Sequence, residues 1–236
     1  MSDTQQVILI TGAAQRVGLH CAKALNRQDY KVVISYRRQR PVIDTLTEKG
    51  IDCIQADFAT VEGVENFTDT IRQRYPQLRA IIHNASDWKH DSIHNQADIF
   101  EQMMAIHARA PMLINQRLAE RLSGEKADII HLTDYVASTG SARHMAYAAS
   151  KAALENLTLS FARKLAPKVK VNAIAPALIC FNEGDDEAYR QKALQKSLLG
   201  IAPGEQEVLK TINWLLDSDF VTGRIVALDG GRHLNF

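Results

Sequence analysis

Three residues of this chain have side chains and spacing suited to proton transfer. Tyr147 and Lys151 stand four residues apart, and Asp134 precedes the tyrosine by thirteen residues. Residues four apart share one face of a helix, so we expect the Lys151 ammonium beside the Tyr147 phenol. There it would favour the ionised phenol and lower its pKa from about 10 towards neutral. The pair alone is weak evidence, because many helices carry an exposed lysine and a half-buried tyrosine at this spacing.

The composition indicates one globular α/β domain over residues 1–236. Of the 236 residues, 46% are hydrophobic and 23% are charged, which suits a single large core. No apolar run approaches the roughly 20 residues that a membrane helix requires, so we expect no membrane partner. Lys plus Arg (28) nearly balance Asp plus Glu (27), which removes the electrostatic argument for a nucleic-acid partner.

The start of the chain and its cysteines and histidines give further expectations. Residues 1–6 enter a strand without the basic and then apolar segment of a secretory signal, which predicts a cytoplasmic location. Cys21, Cys53 and Cys180 are far apart and odd in number, so they indicate neither a disulfide framework nor a zinc site. His90 and His94 have a spacing that could bind metal on a helix, but no third ligand is evident and no metal is expected.

Alternating apolar runs and helical stretches indicate repeated βαβ units. The predicted strands are residues 7–10, 31–36, 52–55, 80–83, 128–132, 169–173 and 225–228. The predicted helices follow the first strand to about Arg27 and then cover residues 61–74, 96–122, 144–166 and 204–216. This order predicts a Rossmann-type, doubly wound parallel sheet of about seven strands flanked by helices, with ligands beyond the carboxyl ends of the strands.

The segment after the first strand has the pattern of a phosphate-binding turn. Thr11-Gly12 opens it, and Gln15, Arg16, Val17 and Gly18 lead into a helix. In that context backbone N–H groups and the helix dipole can approach a pyrophosphate. The alternative is a plain turn between a loop and a helix.

The ends of the next strands indicate which dinucleotide binds. Folds that prefer NAD usually place a carboxylate at the end of the second strand, where this chain has Arg37 and Arg38. NADPH is therefore the expected cofactor, with Arg37 on its 2′-phosphate and Arg38 and Arg16 in support. A solvated basic loop is the alternative. Asp57 and Phe58 follow the third strand and Asn84 follows the fourth, where this fold contacts adenine and ribose, although Asp and Asn are also ordinary turn formers.

The whole chain resembles the short-chain dehydrogenase/reductase family and, within it, the pteridine reductases. Arg16 stands at the middle glycine of the family's Thr-Gly-x-x-x-Gly-x-Gly turn, as in pteridine reductases. Asp134 replaces the family's catalytic serine, and Trp88 stands where a pteridine reductase stacks an aromatic ring on the pterin. His107 departs from the family asparagine that orders a proton-relay water, and it either serves that relay or packs. Pro176 is followed by alanine where Pro-Gly is usual.

The resemblance implies NADPH-dependent reduction of 7,8-dihydromonapterin, with weaker reduction of dihydrofolate. Hydride would reach C6 from the nicotinamide, and N5 would be protonated through Tyr147, Asp134 and water. Lys151 would bind the nicotinamide ribose, Pro176 would lie beside the nicotinamide, and Trp88 would stack on the pterin unless it is only an exposed loop residue. An ionised carboxylate would oppose the negative charge that develops on a ketone oxygen, so the aspartate favours an imine over a simple ketone.

Two other functions and two structural points stay open at this stage. A carbonyl reductase acting on a ketone or an acyl thioester would prefer serine at position 134, and a non-catalytic NADP(H)-binding regulator would not need Tyr147 and Lys151 together. Residues 182–198 are polar and then amphipathic, which suits either a substrate lid or a solvated surface helix. The family resemblance favours the lid and implies a homotetramer.

Overall fold

A parallel sheet of seven strands runs through the protein in the order β3-β2-β1-β4-β5-β6-β7. The computed structural model describes residues 5–91, 94–124 and 126–235. Residues 1–4, which belong to the segment that predicted a cytoplasmic location, lie outside the described residues. The strands are β1 (Val7–Ile10), β2 (Lys31–Tyr36), β3 (Asp52–Gln55), β4 (Ala80–His83), β5 (Asp128–Leu132), β6 (Lys170–Pro176) and β7 (Ile225–Leu228). The strand order reverses between β1 and β4, which is where such sheets bind ligands. The predicted fold class is confirmed.

Nine α-helices lie in the described part of the chain. They are α1 (Arg16–Arg27), α2 (Pro41–Glu48), α3 (Val61–Arg74), α4 (Gln96–Met104), α5 (Ala110–Leu118), α6 (Val136–Thr139), α7 (Met145–Leu165), α8 (Glu187–Leu194) and α9 (Glu205–Asp217). The sequence interpretation missed α2, although Pro41 at its first turn is a helix-start signal. Within the described residues, none of these helices has both the length and the apolar character needed to cross a bilayer.

Helical backbone covers residues 96–121, close to the predicted helix over residues 96–122, but it is not one uniform α-helix. A π-helical segment, Ala105–Arg109, separates α4 from α5, and a short 3₁₀ turn follows α5. Pro111 explains the break, because it has no N–H to donate to the carbonyl of residue 107 and its ring would clash there in an α-helix. The wider π turn accommodates the proline and places His107 inside the irregular segment.

The core has two layers, one on each face of the sheet. Ile8 and Ile10 are fully buried against the layer that contains α1 and α9, and Leu9 between them is fully buried in the layer of α3, α5 and α7. This alternation follows from the two-residue period of a strand. Burying each such side chain contributes about 1.5–3 kcal/mol, so the sheet is a rigid support for the residues at its carboxyl edge.

A chain of buried polar groups crosses the sheet beneath α7. His83 Nε2 donates to Asn115 Oδ1 at 2.7 Å, and Asn115 Nδ2 donates to His131 Nε2 at 3.1 Å. His131 Nδ1 contacts Thr158 Oγ1 at 2.8 Å, and that hydroxyl donates to the Leu154 carbonyl at 3.0 Å. Because the Thr158 hydroxyl donates to the Leu154 carbonyl, it accepts a hydrogen bond from His131 Nδ1. Burial keeps both imidazoles neutral. The network ties β4, β5 and α5 to the helix that carries Tyr147 and Lys151.

We expect this network to make the protein acid-sensitive. Burial lowers the pKa of His83 to about 4, and the hydrogen bond with Asn115 opposes this shift. A histidine in the unfolded chain has a pKa of about 6.5. The unfolded state therefore binds the proton first, and stability is lost as the pH falls from about 6.5 towards about 4. Between pH 7 and pH 5, His83 should lower the free energy of unfolding by about 2 kcal/mol.

Urea unfolding at several pH values measures this effect. His83→Gln keeps a donor for Asn115 but cannot titrate, so it should remove about 2 kcal/mol of the acid loss. An unchanged pH dependence in the variant would show that His83 does not cause it.

Candidate active site

Two glycines that follow β1 pack so closely against the segment after β4 that no larger residue fits in their place. Gly12 has φ +64°, and a Cβ there would lie 2.6 Å from the Ala85 Cα. A Cβ on Gly18 would lie 2.4 Å from Asn84 Nδ2. That amide nitrogen donates to the carbonyls of Thr11 and Gly12 at 3.1 and 2.9 Å. Asn84 thus holds the glycine turn in place, and its contact with a cofactor stays a prediction.

Arg16 lies away from the place expected of a 2′-phosphate ligand. Its backbone has φ +50°, a conformation that explains why the family pattern has glycine there. Its guanidinium donates from Nη1 to Asn182 Oδ1 at 3.0 Å and from Nη2 to Cys180 Sγ at 3.5 Å. The side chain therefore joins the turn after β1 to the segment after β6, and its expected support of Arg37 at a 2′-phosphate stays a prediction.

A pocket at the carboxyl ends of β1, β2 and β3 is lined by six of the thirteen predicted cofactor residues. Its lining includes Gly12, Gln15, Arg37, Arg38, Asp57 and Phe58. Arg40 also lines it and was not predicted, although it continues the basic run after β2. These cations, and the lack of a carboxylate at the end of β2, fit a dinucleotide that carries a 2′-phosphate.

The other predicted cofactor residues lie nearby on known elements. Val17 packs partly buried against the core layer that contains α1. Pro176 ends β6, and its carbonyl accepts the Tyr135 N–H at 2.9 Å. Asp57 Oδ1 accepts the Ala59 N–H at 3.0 Å, the turn-forming role that the sequence left open. Their contacts with a cofactor stay predictions.

Arg37→Ala should raise the KM for NADPH while hardly changing that for NADH, because a charge-assisted contact to the 2′-phosphate is lost. The expected loss is about 1.5–3 kcal/mol, or about tenfold to a hundredfold. Steady-state kinetics with both cofactors measure it.

Arg37 also donates to Asp87 Oδ2 at 3.0 Å, so its replacement removes an ion pair as well. Asp87→Asn is the matched control, because it removes the ion pair and keeps the guanidinium. It should retain the preference for NADPH. Equal damage by Arg37→Ala with both cofactors would remove Arg37 from the phosphate site.

The structure brings Tyr147 and Asp134 into direct contact. The Tyr147 hydroxyl donates to Asp134 Oδ2 at 2.8 Å, and Asp134 Oδ1 accepts the Val136 N–H at 2.9 Å. The carboxylate is positioned by the turn between β5 and α6, and the phenol by the first turns of α7. The predicted acid and phenol therefore form one hydrogen-bonded pair at the carboxyl edge of the sheet.

Lys151 lies on the same helix but does not bond the phenol. Its Nζ donates to the Leu132 carbonyl at 2.9 Å and lies 5.7 Å from the centroid of the Tyr147 ring. Burial lowers the pKa of this ammonium to about 8, and the charge of Asp134 opposes that shift. Lys151 is thus a buried cation beneath the Tyr147–Asp134 pair.

The expected lowering of the Tyr147 pKa is wrong for this structure. Burial, then the charge of Asp134 and the hydrogen bond to it, raise the pKa of Tyr147 well above 10. The sequence indicated the lysine beside the ring and a proton shared with Asp134, but not that burial and the charge of Asp134 would together outweigh the lysine. Tyr147 is therefore held as a neutral proton donor.

His107 is a buried side chain with hydrogen-bond contacts at both ring nitrogens, and its role in a proton relay stays a prediction. Its Nε2 accepts the Asp87 N–H at 3.2 Å and contacts Ser86 Oγ at 2.9 Å. Its Nδ1 contacts Ser150 Oγ at 2.8 Å, and that hydroxyl donates to the Tyr147 carbonyl at 2.7 Å. Burial and Lys151 lower the pKa of His107 well below 6.5. A neutral imidazole therefore ties the loop after β4 to the helix that carries Tyr147.

Trp88 packs against two imidazole rings, edge-on to His90 and tilted to His144. Its centroid is 4.5 Å from that of His90 and 4.6 Å from that of His144, and the two imidazoles are 4.4 Å apart. Trp88 is still 53% exposed, and its stacking on a pterin stays a prediction. His144, which immediately precedes α7, was not predicted, because its contact with Trp88 joins loops far apart in sequence.

Comparison with known proteins identifies the family. Residues 12–233 match the family described as enoyl-(acyl carrier protein) reductase. With its parallel sheet, glycine turn and tyrosine-lysine pair, this chain belongs to the short-chain dehydrogenase/reductase family.

Its relatives are more specific. The chain is 54% identical over 231 residues to the dihydromonapterin reductase of Klebsiella pneumoniae, covering 96% of each chain. It is 53% identical over 239 residues to the dihydromonapterin reductase of Escherichia coli (strain K12), covering 99% of this chain and 100% of the relative.

Among solved structures, it is similar to the FolM alternative dihydrofolate reductase 1 of Brucella canis complexed with NADP. That likeness has a TM-score of 0.87 and 25% identity, over 98% of this chain and 95% of the other.

Proposed function

We propose that this protein is an NADPH-dependent reductase that converts 7,8-dihydromonapterin to tetrahydromonapterin and reduces dihydrofolate more weakly. The observation that carries the proposal is the 2.8 Å hydrogen bond from Tyr147 to Asp134, which places a carboxylate where a ketone reductase has a neutral donor. The relatives named dihydromonapterin reductase, at 53–54% identity over nearly the whole chain, support the same substrate.

The cofactor pocket would hold NADPH with its glycine turn and its arginines. The backbone around Gly12 would face the pyrophosphate, and Arg37 and Arg38 the 2′-phosphate. NADPH, when bound, supplies the hydride for the C=N bond. Lys151, buried beneath the pair, would bind the nicotinamide ribose.

The Tyr147–Asp134 pair supplies the proton. Hydride addition to C6 of the pterin moves the electron pair of the C6=N5 double bond onto N5. N5 then becomes a strong base, so a phenol with a raised pKa is still acidic enough to protonate it. Asp134 fixes the direction of the phenol and accepts from the amino-pyrimidinone edge of the ring. An ionised carboxylate does not suit a ketone, where negative charge develops on oxygen.

Side-by-side assays of NADPH oxidation test this function. Dihydromonapterin, dihydrofolate, dihydrobiopterin and a panel of small ketones would be compared at equal enzyme concentration, with tetrahydropterin formation confirmed by chromatography. We expect dihydromonapterin to have the highest kcat/KM. Turnover of ketones with inert pterins would instead identify a carbonyl reductase, and cofactor binding without any turnover would identify a regulator.

We also propose that residues 1–236 form one NADP-binding domain that works as a cytoplasmic homotetramer. Exposed apolar side chains such as Leu159 on α7 and Trp214 on α9 support contacts between copies. Residues 182–198, which contain α8 and bond to Arg16 through Asn182, are proposed as the substrate lid. Light scattering of the purified protein tests the assembly.

A further inference from the structure

Positively charged side chains gather on the lid side of the substrate site. The Arg232 guanidinium carbon lies 4.6 Å from the centroid of the Tyr135 ring, and Tyr135 directly follows Asp134 in the chain. Arg232 and Lys196 line one cavity of about 360 Å³ between the segment after α8 and the end of β7. A cationic wall therefore begins one residue from the carboxylate that contacts Tyr147.

Two more cations extend this wall across the site. The pKa of Lys196 is lowered by burial first and then by the charges of Arg232, Lys192 and Arg143, so each of these three cations lies within electrostatic reach of Lys196. Arg143 immediately precedes His144, whose ring is 4.6 Å from Trp88. We call Lys192, Lys196, Arg143 and Arg232 the cationic cluster.

The acidic residues beside the cavity already have other partners. Asp229 contacts His233 Nδ1 at 2.7 Å and accepts the Gly231 N–H at 3.1 Å. Glu207 accepts from Lys210 Nζ at 3.0 Å. In residues 5–91, 94–124 and 126–235, no side chain of the cationic cluster makes an ion pair or a hydrogen bond. Crowded, uncompensated like charges repel one another, and an anion placed among them relieves that repulsion.

We propose that the cationic cluster binds an anionic group carried by the C6 substituent of the pterin. The inference rests on the proposed function, because it uses the position of the pterin. C6 is bonded to N5, which the Tyr147–Asp134 pair protonates, so a substituent on C6 leaves the ring beside Asp134 and Tyr135. The ligand chemistry is a carboxylate or a phosphate, supplied either by the glutamate of dihydrofolate or by a phosphate ester on a pterin side chain.

Two charge-removing variants and one control test this assignment. Lys196→Gln and Arg232→Gln each remove one cation from the cavity, and Lys164→Gln removes one from the exposed last turn of α7. For each variant, kcat/KM would be measured with neutral dihydromonapterin, with dihydrofolate and with the phosphate monoester of dihydromonapterin. The ratio of anionic to neutral substrate should fall about tenfold in each cavity variant and stay constant in the control.

The substrates distinguish the two sources of the anion. A fall for dihydrofolate alone assigns the cluster to the glutamate carboxylates, a fall for the ester alone assigns it to phosphate, and a fall for both assigns a general anion site. Higher salt should reduce the same ratios in the unmodified enzyme. Constant ratios in both cavity variants would overturn the proposal even with full dihydromonapterin turnover. An enzyme inert to dihydromonapterin, by contrast, would refute the proposed function itself.

Discussion

Tyr147→Phe should lower the rate of dihydromonapterin reduction on the order of 10² to 10⁴-fold. The phenylalanine keeps the ring that packs against His107, with centroids 5.3 Å apart, and removes only the hydroxyl that donates to Asp134. The N5 nitrogen then loses its proton donor while the fold and the cofactor pocket are retained. Single-turnover kinetics with saturating NADPH measure the chemical step, and fluorescence titration measures cofactor affinity.

Tyr30→Phe is the matched control for this change. Tyr30 packs against the core at the opposite end of the sheet, immediately before β2, so its hydroxyl should not affect turnover. If Tyr147→Phe retained most of its activity, Asp134 or a water would have to supply the proton unaided.

Asp134→Ser should depress pterin reduction on the order of 10²-fold. Serine is too short to keep the 2.8 Å contact with the phenol, and its hydroxyl carries no charge with which to hold the pterin edge. The Val136 N–H can still be satisfied by a serine oxygen, so the fold should survive. Circular dichroism and thermal unfolding check the fold, and NADPH absorbance measures turnover.

The sequence was enough to predict the sheet and the main site because both depend on short-range patterns. Continuous apolar runs mark the strands, and Thr11, Asn84 and Asp134, which follow the ends of β1, β4 and β5, place polar residues at one edge. The spacing of Tyr147 and Lys151 on one helix needed no tertiary information. These predictions follow from local geometry alone.

Other features depend on residues that meet only after folding. Arg16 reaches Asn182 because its backbone is in the left-handed region and its side chain is long. His107 is held neutral by burial and by the charge of Lys151, and it contacts serines on two distant segments that no pattern in the sequence brings together. The raised pKa of Tyr147 arises from burial and from a carboxylate thirteen residues away. Such tertiary contacts decide charge states, which spacing cannot predict.

The most direct test of the account is the ratio of kcat/KM for dihydromonapterin to kcat/KM for a small ketone, measured in the unmodified enzyme and in Asp134→Ser. If Asp134 is the residue that selects an imine, the variant should lose pterin turnover. Because it regains the hydroxyl donor that ketone reduction uses, its ketone turnover should hold steady or rise, and the ratio should fall on the order of 10²-fold. An unchanged ratio with unchanged pterin turnover would contradict the account, since the aspartate would then be a structural substitution in an unspecified NADPH-dependent reductase.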